Sequence, residues 1–228
     1  MPLFSEADKI LLDSVYQVAT AQPSDDGVRF DTLGSSGPTA LTVSGMATGI
    51  QQAVFDIFAE STFDCPGYWM AEAFSLGSRQ SWKYQYSLEP NYHGADLAAY
   101  WSVGATVPNA DFRHSFQKIW GNFILNDNPA ISVTDATANY ANATVPIASP
   151  GASMISWPEY SILSPQQMDL NTTGGVIDLV TVTDDLSYNV RTGDGIVNKF
   201  SLVDSYTWEG GRGARCDFWR TVSSSVPY

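Results

Sequence analysis

Positive charge is scarce in this chain. Eleven Lys and Arg residues stand against 24 Asp and Glu, a net charge of −13. Such a surface repels phosphate, so nucleic acid is excluded as a partner and anionic membrane surfaces are disfavoured. Long apolar runs are missing too. No stretch approaches the ~20 residues a helix needs to cross a bilayer, so no membrane span is expected. Residues Met1 to Asp8 are acidic and lack the basic and apolar regions of a secretory leader. Only two histidines occur, His93 and His114, and they share no ligand spacing with each other or with the cysteines. No metal or other cofactor is therefore expected. The two cysteines, Cys65 and Cys216, are either two buried thiols or one disulfide. The strings G-x-S-x-G, H-E-x-x-H, G-x-x-x-x-G-K-[ST] and G-x-G-x-x-G are all absent. The 24 acids single out no glycosidase-like pair.

What is present is apolar and aromatic. Hydrophobic residues make up 44 % and charged residues 15 %, with 7 Trp, 11 Tyr and 11 Phe among 228 residues. That composition builds a core rather than a disordered chain. With no repeat and no linker, residues 1–228 read as a single unit. A helix is expected over Ser5 to Ala19, capped by Ser5 with Asp8 at the capping-box position. A longer one is expected over about Ser44 to Glu60, with Met46, Ile50, Val54, Ile57 and Phe58 on one face. Phe63-Asp64-Cys65-Pro66 breaks it, and a short helix from Gly67 to Leu76 follows. Asp111 to Leu125 places Phe112, Phe116, Ile119, Trp120 and Phe123 on one helical face, with His114 at its boundary. Residues 131–155 read as a long surface loop. Gln167 to Asn171 and Val176 to Thr183 read as strands, and Arg215 to Thr221 as a last helix.

The stretch from Trp82 to Asp96 organises the rest. Tyr84, Tyr86 and Leu88 alternate with Lys83, Gln85 and Ser87, the period of a strand. Pro90 stops it, having no N–H for a ladder. His93 follows on a turn that Gly94 keeps open. A histidine just past a strand end is well placed to move protons.

Several segments together resemble the C-terminal part of the type-B carboxylesterase/lipase (cholinesterase-like) family, its fungal members above all. They are Cys65-Pro66 before a short helix, the Tyr-rich strand Trp82 to Leu88, and His93-Gly94-Ala95-Asp96 in an H-G-x-D context. Trp120-Gly121-Asn122-Phe123, the stop Asn128-Pro129, the loop Trp157-Pro158-Glu159-Tyr160 and Cys216-Asp217-Phe218-Trp219 follow in the same order. The resemblance runs along nearly the whole chain. It implies the last strands of an α/β-hydrolase sheet with flanking helices, incomplete relative to the family. It makes His93 the general base of a serine hydrolase acting on carboxylic esters without metal or cofactor. It pairs Cys65 with Cys216, which needs an oxidising compartment. Secretion is then implied, and the sequons at Asn142 and Asn171 become glycosylation sites.

The family's nucleophilic serine, oxyanion glycines and acid lie upstream of the region matched here. The expectation is a chain inactive alone, completed by an N-terminal part or by another chain. Asp96 is not promoted to triad acid, because the family carries an acidic residue there in addition to it. The alternatives are a non-catalytic relative that binds a small molecule or protein through Trp69, Tyr92, Tyr100 and Trp101, and a truncated gene product with no selected function. Trp157 and Tyr160 are expected to be packing residues.

Overall fold

A computed structural model describes residues 4–18, 32, 34–37, 39, 47, 49–101, 109–183 and 186–225. The chain is mixed α/β. Its first helix, α1 (Glu6–Val15), starts as the sequence predicts: the Ser5 hydroxyl accepts from the Asp8 N–H, and the Asp8 carboxylate accepts from the Ser5 N–H at 2.9 Å. Ala19 lies outside the described residues. Ile10 and Leu11 are exposed on α1, while Leu12, Val15 and, beyond its end, Val18 pack inward.

The second helix departs further from expectation. Helix α2 (Ile50–Ala59) does not stop at Phe63-Pro66 but widens into a π turn, Glu60–Asp64, that runs straight into α3 (Cys65–Phe74). Pro66 stands in the first turn of α3, at the seam where the π turn replaces the regular ladder. Burial departs as well. Of the expected face, Ile57 packs inward, but Ile50, Val54 and Phe58 are exposed, whereas Gln52, Ala53, Asp56 and Glu60 are buried. Met46 lies outside the described residues. At the end of this buried polar face Glu60 meets Arg215 of the C-terminal helix.

Strand β1 (Tyr84–Tyr86) is shorter than the expected Trp82–Leu88 run. It pairs in parallel with β2 (Gln166–Thr173), and β2 pairs antiparallel with β5 (Val197–Asp204), giving the sheet order β1-β2-β5. β1 is thus an edge strand with one neighbour among the described residues. A separate hairpin is formed by β3 (Val176–Thr183) and β4 (Leu186–Thr192). Neither β4 nor β5 was expected: polar and charged residues interrupt their apolar pattern. Helix α4 (Leu97–Trp101) follows the His93 turn, and α5 (Ala110–Asn126) is capped by the Asn109 side chain.

The main core lies between this sheet and α5. Tyr84, Tyr86, Leu88, Met168, Leu170 and Phe200 meet Phe112, Phe116 and Ile119. Residues 131–155 are no simple surface loop. They form the short helix α6 (Val133–Thr137), bury Ile131, Ala136 and Ile155 in the core, and close the outer edge of β5 through Thr144, whose carbonyl accepts from Phe200 N–H at 2.8 Å. Trp157 and Tyr160 are buried, as expected. The last helix, α7 (Trp208–Thr221), starts earlier than predicted and kinks at Glu209, Gly210 and Gly211, all at positive φ. A second core joins α7 to α1, α2 and α3 around the disulfide Cys65–Cys216.

Candidate functional site

Leu88 and Pro90 are buried and fix the chain where β1 ends. Tyr92 then stacks on Tyr188 of β4 with ring centroids 5.3 Å apart. Ala95 N–H donates to the Tyr92 carbonyl at 3.0 Å, and Gly94 takes a φ of 81°. This closes a tight turn with His93 at its tip. The His93 ring is exposed and stacks on Phe63 at 4.2 Å. Phe63 is presented by the π turn, which shifts the helix surface by an extra residue at that point.

Behind His93 is a cavity of about 240 Å³, lined by Asp56, Glu60, Asp64, Gln85, Asn91, Glu209 and Arg212 among others. Its floor is a buried ionic cluster. Glu60 accepts from Arg215 Nε at 2.8 Å and Nη2 at 2.6 Å, and from the Tyr16 hydroxyl at 2.7 Å. Tyr16 in turn accepts from Trp219 Nε1 at 2.6 Å. Arg212 pairs with Glu209 and donates to Gln85 Oε1 at 3.0 Å. Burial alone would lower the Arg212 pKa, but Asp64 and Glu209 outweigh it and hold the guanidinium charged. Burial raises the Glu209 carboxyl against the pull of Arg212. Asp56 has no such cation within ion-pair distance among the described residues. It accepts from Thr39 Oγ1 at 2.6 Å, and burial, the larger effect, pushes it up to about 7.

A larger groove of about 610 Å³ runs along the open edge of β1. Phe63, Met70 and Phe74, all exposed, line one side, with Trp82, Tyr84, Tyr86 and Phe123 also bordering it. Lys83 lines it too. Its ammonium sits 4.0 Å from the Tyr68 ring and donates to Gln167 Oε1 at 2.6 Å. Burial first, then Arg212, lowers its pKa to about 7.

No carboxylate or hydroxyl among the described residues is hydrogen-bonded to the His93 ring. Asp96 is turned elsewhere, accepting from the Tyr84 hydroxyl at 3.0 Å. His114 is exposed on α5 and pairs with Asp135 at 3.0 Å, away from His93. Asn142 is exposed in a turn. Asn171 is half-buried in β2 opposite Lys199, its side chain accepting from Thr172 N–H at 2.7 Å. The four aromatics expected to form a binding surface are not brought together. Trp69 packs beside the disulfide core, Tyr92 on Tyr188, Tyr100 in the main core, and Trp101 is exposed. Among the described residues no three His, Cys, Asp or Glu side chains are grouped to hold a metal ion, and no helix is long and apolar enough to cross a membrane.

The sequence reading missed the ionic cluster. Its one signal was a run of charge, Glu209, Arg212 and Arg215, spaced by three beside Cys216 in a chain otherwise poor in cations. No family model, curated protein or solved structure matches this chain.

Proposed function

We propose that this chain is the histidine-bearing part of a carboxylesterase-like serine hydrolase of α/β-hydrolase type. In this reading His93 takes the proton from a serine that a segment outside this chain supplies, and returns it to the leaving alcohol. The observation that carries the reading is an exposed imidazole at the carboxyl end of β1, the place where open α/β sheets receive ligands. Two further features support it. The edge of β1 takes no second strand among the described residues and borders a large groove. The apolar faces of α2 and α3 stand exposed beside it. Both suit a chain that packs against more protein. No atom of this chain is assigned as nucleophile, so the chain alone is inactive.

The test is hydrolysis of short and medium p-nitrophenyl esters, with a serine-reactive phosphonate in parallel. The chain alone gives no turnover and no label. Carried in a polypeptide that supplies the serine and acid, it turns over ester, and His93→Ala lowers kcat by ~10³-fold or more. Turnover by the joined protein that survives His93→Ala would sink the proposal.

A second reading has its own support. With no carboxylate bonded to its ring among the described residues, an exposed His93 stacked on Phe63 is an apolar contact as much as a base. A non-catalytic relative would bind through the aromatic groove along β1. Full folding of the joined protein with no turnover and no labelling would favour it.

A further inference from the structure

We propose that the outer edge of β3 is a self-association surface. Two copies pair antiparallel along β3 across a two-fold axis and join their hairpins into one four-stranded sheet.

The β3–β4 hairpin is a two-stranded sheet of its own. A lone hairpin is marginal in water, and three or more strands are needed for stability. Among the described residues, the side-chain contacts that tie its strands to the body are made by β4. Tyr188 stacks on Tyr92, and Arg191 pairs with Glu89 at 2.7 Å. Asn189 of β4 is buried. β3 is held away from that anchor and exposed on both faces: Val176 is 58 % exposed, Ile177 47 % and Leu179 54 %. Among the described residues β4 is its one strand neighbour.

Protein edges are usually guarded by lysine, proline or a bulge. From Val176 to Thr181 there is no lysine and no proline, and the register shift lies beyond it, between Thr181 and Thr183. The unguarded stretch carries a single charge, Asp178. An open strand edge is completed by another strand, and β3 of a second copy supplies one in a closed, isologous contact. The charge also selects the register. An axis at Asp178 would set two carboxylates opposite each other. An axis at Leu179 or Val180 instead sets Asp178 opposite Val180 or Val182. The exposed faces of α2 and α3 have no comparable directional requirement. One strand pair buries less than the ~1,200 Å² of a lasting complex, so the dimer forms in a concentration-dependent way.

Sedimentation velocity from about 1 to 300 μM tests it. The expected result is a monomer–dimer equilibrium that Leu179→Lys and Val180→Lys each abolish and Val54→Lys on α2 leaves intact. Because both native cysteines are already paired, Leu179→Cys or Val180→Cys adds the one free thiol. Whichever lies on the axis forms a disulfide-linked dimer on mild oxidation, and this arm needs no destabilising lysine. A monomer at every concentration overturns the proposal. So does a dimer that both lysine variants leave intact, or that Val54→Lys disrupts equally.

Discussion

Asp56, Asp169 and Lys83 meet surroundings that oppose their charge. Burial is the leading cause in each case, placing them at about 7, 6 and 7. The two acids titrate above their ordinary value of 3.8. Between pH 4 and 7 the unfolded chain has lost these protons while the folded chain keeps them, so stability falls as pH rises through that window. Lys83 acts in the opposite sense. Above pH 7 the unfolded chain holds a proton the folded chain has released, so stability rises toward pH 10. These three groups together place a stability minimum near neutrality. Asp56→Asn should remove its share of the fall, at most on the order of 4 kcal/mol between pH 4 and 7. Urea unfolding at pH 5 and pH 8 checks this, and an unchanged difference between the two pH values refutes it. The turn that carries His93 was legible from sequence because Pro90 and Gly94 bracket it in order. Asp56 was not. It sits in a helix whose apolar residues mark the opposite face as the core side, and its hydrogen-bond partner Thr39 lies in a separate segment upstream of that helix.

At the scale of elements, local signals read well. The Ser5 cap, the apolar stripe of α5, and strands β2 and β3 all stand close to where the sequence places them. Failures came where distant contacts overrode local pattern. Pro66 marked no break because the π turn carries the helix through it, and the residues from 131 to 155 became structured by closing β5. The apolar face of α2 reads as core in any periodicity argument, yet Ile50, Val54 and Phe58 on it stand exposed. The hairpin is stitched to the sheet by a glycine contact that spacing alone does not disclose. Gly174 and Gly175 both have positive φ, and a Cβ on Gly174 would lie 2.1 Å from the Gly195 carbonyl oxygen. Gly174→Ala should therefore cost about 2 kcal/mol or more, read as a lower urea midpoint.

For the whole molecule, the long-range tie is Cys65–Cys216, which spans 151 residues. The bond is present in the structure, as the family resemblance implied. In the chain-entropy model a loop of that length contributes roughly 4–5 kcal/mol. The double variant Cys65→Ser/Cys216→Ser should lose about that much in equilibrium unfolding, provided it still folds. A loss under 1 kcal/mol would mean that the buried ionic cluster joining α7 to α2 holds these elements together without the bond.

The same closure makes most of the chain a covalent ring, with both ends of the sequence as tails outside it. A protease that cuts once inside the ring, as in the exposed turn around Gly151, opens the circle without releasing a piece. The nicked and intact forms then keep one mass, apart from an added water. Damage inside the ring is invisible until a reductant separates the halves, whereas a cut in either tail shows at once.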